Sequence, residues 1–286
     1  MKKTMIRSAH WLALLAGLAL SAGAQAASTW AFSGSGGNDP VTGEPLAKLS
    51  YANNGVAALT IDGVYGKNGS GDSGFASGAK WNNTSTPDSN LLYFNGNGLG
   101  MCSGYDVSVS CQAPNHAMDN NGNTEGVLLS FTSSVVLTSI GIGYKSGDAD
   151  ISLWRYTGTS APAAINTIGA DKTSMQNAGW SLVGNYADLT EDTSNPYNAV
   201  NSGNLGSSWW LVTAYNTSYG TTSANGGALG QGNDYFKIYA VAGNACTGGT
   251  DNCGGNRAAP EPGSLALASL AIGGVIFSRR RKTAKD

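Results

Sequence analysis

The chain has 286 residues, 41 of them glycine, with only 12% charged side chains and a formal net charge of −2. Apart from its two ends, the stretch 28–259 holds eight basic and sixteen acidic residues. So acidic a body repels phosphate backbones, which argues against nucleic acid as a partner and leaves calcium or neutral sugar as chemistry to look for.

Lys2, Lys3 and Arg7 open the chain, Trp11–Leu20 is apolar, and Ala24-Gln25-Ala26 is an Ala-x-Ala cleavage site. This order predicts a secretory signal peptide over 1–26, removed after Ala26 on export. His10 leaves with it, so His116 is the only histidine of the expected mature chain.

The body has the length of one large β domain. Short apolar or alternating runs bounded by Gly and Asn predict strands at Thr29–Ser33, Val56–Tyr65, Leu91–Phe94, Val127–Phe131, Val135–Tyr144, Ile151–Tyr156, Trp180–Tyr186, Trp209–Tyr215 and Tyr235–Val241. A helical turn is expected at Asp171–Ala178. The fold class is all-β, a jelly-roll-like β-sandwich over 28–245. Within Tyr235–Val241, Phe236, Ile238 and Ala240 should face the core, and Tyr235, Lys237 and Tyr239 the other side. Ile151–Tyr156 is apolar on both faces and should be covered on both. Trp209-Trp210 and Trp154/Tyr156 are either core packing or a sugar-stacking surface.

Cys102, Cys111, Cys246 and Cys253 fall into two local pairs. In an exported chain they are expected as disulfides Cys102–Cys111 and Cys246–Cys253; the spacing lacks the Cys-x-x-Cys pairs of a zinc site. The second pair would close a linker over 246–259.

Two places carry oxygen ligands at useful spacing. Asp119, Asn121, Asn123 and Glu125 alternate before the strand at Val127. Asp148 and Asp150 sit between two strands, and Asp234 heads the last one in phase with Phe236. Calcium takes six to eight such oxygens. Asx-type turns, in which Asp and Asn bond to their own backbone, are the other reading of the same loops. No cofactor is required; calcium is the candidate ion. No catalytic residue is assigned. His116 would be the base of a Ser-His-Asp triad, but no Gly-x-Ser-x-Gly turn accompanies it. A glycosidase would need paired carboxylates such as Glu125 and Glu191.

The C-terminal stretch 260–282 reads Pro260-Glu261-Pro262, a 13-residue apolar run at Leu265–Phe277, then Arg279, Arg280, Arg281 and Lys282. Proline ends regular structure. The run is shorter than the ~20 residues that span a bilayer comfortably, and basic residues stay cytoplasmic. Proline pair, short apolar run and basic cluster together resemble the PEP-CTERM sorting signal of exosortase-dependent surface proteins of Gram-negative bacteria. That resemblance implies Sec export, transient residence of the C-terminal segment in the inner membrane, recognition by exosortase, and delivery to the cell surface or extracellular matrix. The alternative is a single-span tail anchor.

The body segments His116–Asn120, Val127–Phe131, Gly147–Ile151, Trp209–Val212 and Asn233–Lys237 also resemble a group of such surface proteins, and this adds no catalytic residue. The sequence therefore points to a non-catalytic surface protein. A calcium-stabilised carbohydrate-binding module retaining exopolysaccharide, and a polysaccharide hydrolase, are the alternatives.

Overall fold

The structure is a computed structural model that describes residues 27–32, 48–52, 54–69, 74–83, 90–103, 113–191, 197–246 and 252–253. The expected signal peptide, the Pro-Glu-Pro tail with its apolar segment, and Cys111 lie outside these residues.

Fourteen strands join in one hydrogen-bonded network: Ser28–Ala31 (β1), Lys48–Tyr51 (β2), Leu59–Lys67 (β3), Trp81–Asn83 (β4), Asn90–Asn95 (β5), Gly98–Ser103 (β6), Met118–Asp119 (β7), Asn123–Lys145 (β8), Ile151–Tyr156 (β9), Trp180–Tyr186 (β10), Tyr197–Ala199 (β11), Leu205–Ala214 (β12), Tyr235–Ala245 (β13) and Asn252–Cys253 (β14). Among the described residues a single short α-helix, Lys172–Asn177 (α1), joins them. The chain is an all-β sandwich, as expected. Its pairs are antiparallel except for β12 with β14.

β8 ties the two layers together. Residues 123–131 pair with β3, and 135–145 pair with β13. The sequence predicts two strands here, split at Thr132-Ser133-Ser134. The chain instead runs through, its backbone at this point held by bonds to neighbouring segments. Ser133 Oγ donates to Val56 O (2.9 Å) and Ser134 O accepts the Cys246 amide (2.9 Å). One layer is thus β10, β9, β12, the first part of β8, and β3 with β2 and β4. The other is built on the second part of β8 and on β13, flanked by β1, β6, β7 and β11.

The main core lies between these layers. Leu59, Ile61, Leu129, Phe131, Leu153 and Val212 meet Leu99, Ile142, Phe236, Ile238 and Val241, all essentially without solvent contact. A second core covers the outer face of β9 and β12. Trp154, Trp180, Trp209 and Leu211 lie under Ile165, Ile168 and Met175 from the segment that carries α1. β9 is therefore buried on both faces, as its composition requires. Asp171 caps α1, accepting from Ser174 N (3.0 Å) and Ser174 Oγ (2.6 Å).

The sandwich has two distinct poles. At one, Ser28 lies opposite Gly243, Cys246 packs on Gly206, and Cys253 pairs with Gly206. At the other lie the start of β13, the start of β9 and the end of β12, with Ala214 opposite Ile151. The eleven residues of β13 run between the poles, a span of about 33 Å at strand rise.

Candidate metal centre

The second pole gathers the acidic residues. Gly147, at φ 78°, turns the chain after β8. Asp148 then bridges to Asp234: its amide donates to Asn233 O and its carbonyl accepts Tyr235 N, both at 3.1 Å. Two residues on, Asp150 immediately precedes β9 and is fully buried. Both its oxygens accept backbone amides, Oδ1 from Asp188 (2.7 Å) and Oδ2 from Gly230 (2.5 Å). Asp188 follows β10 in the left-handed region, φ 54°, which Asp adopts more readily than most residues.

Carboxylate oxygens of Asp148, Asp150 and Asp188 all lie within 4.8 Å of one another. Asp150 is buried, Asp148 half-buried and Asp188 exposed, so the group opens to solvent on one side. Burial raises the Asp150 carboxyl to about 6, its amide bonds opposing the shift and the neighbouring Asp148 and Asp188 adding to it.

Asp234 stands behind this group, fully buried as its phase with Phe236 predicts. Its Oδ1 accepts the Asp150 amide (2.8 Å) and its Oδ2 the side-chain amide of Asn120. Burial raises its carboxyl to about 8, partly offset by the Asp150 amide and reinforced by the charges of Asp150 and Asp148. Asn120 is the connector. Its Oδ1 accepts from Gly232 N (3.0 Å) and Asp234 N (3.2 Å), and its Nδ2 also reaches Tyr215 O (3.0 Å).

The expected ligand set is therefore divided. Asp148 and Asp150 are brought together, Asp188 joins them, and Asp234 supports them from behind. Asp119, Asn121, Asn123 and Glu125 are not in the carboxylate trio. Asp119 Oδ1 accepts Asn121 N (2.9 Å), the two-residue bond of an Asx turn, and Glu125 Oε2 accepts Asp119 N (3.3 Å). Exposed Asn121 donates to Tyr235 Oη (2.7 Å), and Asn123 is buried.

The trio is an all-oxygen set, the donor chemistry of a hard cation. It supplies three carboxylates, and a calcium ion there would take its remaining ligands from water or backbone oxygen. Asp188, Asn120 and Gly230 have no signal in the sequence that marks them. The contacts that join them to Asp150 and Asp234 span long stretches of chain.

Other expectations fare differently. Trp154, Trp180, Trp209 and Trp210 are all buried, and Tyr197 is the exposed large hydrophobic residue among those described. Trp154, Tyr156, Trp209 and Trp210 are core, and the sugar-stacking reading of them is corrected. His116 stacks on Tyr93 (centroids 4.6 Å, planes 4° apart), and its buried Nδ1 has no hydrogen-bond partner. Glu191 is exposed and accepts Lys145 N (3.1 Å). Cys246 is disulfide-bonded, with the backbone of Cys253 alongside at Gly206. The side chains of Cys102 and Cys253 lie outside the described set.

No family model, curated protein or solved structure matches the chain.

Proposed function

We propose that the chain is an exported, non-catalytic protein of the cell surface or extracellular matrix, sorted by its C-terminal tail through an exosortase-type system. The observation that carries this reading is the order Pro260-Glu261-Pro262, Leu265–Phe277, Arg279–Lys282 behind an N-terminal export signal. The sandwich supports it. Its N-terminal strand and Cys253 lie at the same pole. The partners are the Sec machinery, exosortase and, in passing, the inner membrane.

The test is the intact mass of the protein recovered from its host, with membrane fraction and medium taken separately. A species beginning near Ala27 and ending near Pro260 supports sorting. A membrane species that still carries 265–286 overturns it in favour of a simple tail anchor.

A second reading rests on the trio Asp148, Asp150 and Asp188. In it the body is calcium-stabilised and binds surface polysaccharide through polar loops at the acidic pole, since the tryptophans are buried in the core. A glycan array that stays flat with and without calcium overturns the polysaccharide half of this reading.

A further inference from the structure

Among the described residues, Lys237 is a charged-type side chain buried with no hydrogen-bond partner for its amine. It lies near the start of β13, on the face that alternation assigns away from the main core, yet it has no solvent exposure. Its Nζ has no hydrogen-bond acceptor and stands 4.4 Å from the centre of the Tyr93 ring and 6.0 Å from that of Tyr144. An ammonium buried without an acceptor is costly, and two aromatic faces return only part of that cost. Nearby, the Nδ1 of His116 is also buried and unpartnered.

Tyr93, from the β5–β6 hairpin, is the nearer of the two rings that lie against Lys237. The hairpin meets β13 through one register pair, Leu99 opposite Ile238. It lies very close to its neighbours. A Cβ at Gly98 would come within 2.5 Å of Ile238 O, and one at Gly100 would strike His116 O. Its inward side chains, Leu92, Leu99 and Met101, complete the core. The hairpin thus joins β13 through one register pair while one of its rings lies against an unpartnered amine.

We propose that the β5–β6 hairpin is a proton-operated latch, closed over an uncharged Lys237 and released when Lys237 takes up a proton. The titratable groups that face Lys237 are Tyr93 from β5, His116 from the turn before β7, and Tyr144 from β8. Tyr235 and Tyr239 share its side of β13. No described carboxylate bonds to it. Burial lowers Lys237 from 10.5 to about 7, and burial together with the charge of Lys237 lowers His116. Opening the hairpin returns the amine to water and to its ordinary affinity for protons, so opening takes up a proton between about pH 7 and 10.5. The open fraction therefore grows about tenfold for each unit that pH falls through that range, and levels off below it. Acidification bares the apolar side of the hairpin. This inference is independent of the sorting and calcium readings.

Hydrogen exchange of the protein as isolated, from about pH 6 to about pH 9 and corrected for intrinsic exchange, tests it. The expected result is protection at 90–103 that rises about tenfold per pH unit above 7, with no matching slope in β9 or β12. In Lys237→Met the slope should vanish. A flat profile in the native protein, an equal slope in every strand, or a slope that survives the substitution overturns the latch. Should the variant not fold, the NMR titration of the Lys237 side chain in the native protein decides. A midpoint near 7 supports the latch and one near 10.5 overturns it.

Discussion

The Asp234 carboxylate accepts the backbone amide of Asp150 at 2.8 Å, so one buried acid holds in place the loop that carries another. Nothing basic neutralises this pair among the described residues; backbone and Asn120 amides do what they can. The arrangement stores a cost that either protons or a cation can relieve, and its consequences are measurable.

The first concerns pH. Asp234 is raised to about 8 and Asp150 to about 6, each from 3.8. The folded chain keeps protons that the unfolded chain has already released, so this contribution is fully present at low pH and is lost as pH rises through about 6 and then about 8. In chelator, the melting temperature should fall between about pH 4.5 and pH 8, a window set by those raised values. Asp234→Asn should flatten the upper part of that fall. It should also cost about 1–3 kcal/mol, because an amide cannot accept from both Asp150 N and Asn120 Nδ2. Lys237 acts in the opposite sense at higher pH, since its affinity for protons is lowered on folding. A melting profile whose fall is unchanged in the variant would remove Asp234 from this account.

The second concerns calcium. At an ion concentration ~100 times Kd, a ligand that binds only the folded state stabilises it by about 2.7 kcal/mol, or ~5–10 °C for a domain of this size. At neutral pH the native protein should show such a rise and lose it in chelator. The Asp148→Asn/Asp188→Asn double variant alters the two more accessible carboxylates and leaves the buried bonds of Asp150 in place. Its melting temperature should be indifferent to calcium. Indifference in the native protein would dismiss the ion.

The third concerns the pole that holds Cys246 beside Gly206. A Cβ at Gly206 would collide with Cys246 Sγ, so the disulfide-bonded cysteine sits where any larger residue would need to be. Gly206→Ala should cost about 1–3 kcal/mol, the usual penalty of overpacking. Denaturant unfolding measures it, and a neutral result would mean that β12 can shift at this point.

The fourth concerns α1, one and a half turns long and held by its cap. Asp171→Ala removes the acceptor of Ser174 N and Ser174 Oγ and should cost about 1 kcal/mol. Urea unfolding reads the total. Exchange at 172–178 shows whether the loss is local.

Much of the fold is legible because it rests on local alternation. Ile151–Tyr156 and Trp180–Tyr186 have their predicted bounds, and Asp234 faces inward as its phase with Phe236 requires. What escapes is set by long-range covering. Lys237 reads as an outward residue because nothing in β13 announces the hairpin whose Tyr93 lies against it. That hairpin's second strand, Gly-Leu-Gly-Met-Cys-Ser, has too much glycine to read as a strand. Its turn Gly96-Asn97 between paired Asn95 and Gly98 is nevertheless a two-residue hairpin signal present in the sequence. The carboxylate trio is half legible. Asp148 and Asp150 are close along the chain, whereas Asp188 arrives from the end of β10, where its spacing carries no message.

The two-pole arrangement has a consequence for load and display. Anything that grips the chain beyond residue 253 pulls on the body beside Gly206. There the short parallel β14–β12 pair and the cross-linked end of β13 share the strain. The body then hangs by one end. At the other pole, about 30 Å away along β13 at strand rise, lie Asp148 and Asp150 before β9 and Asp188 after β10. Bodies held side by side by that end would turn their carboxylates to the same side.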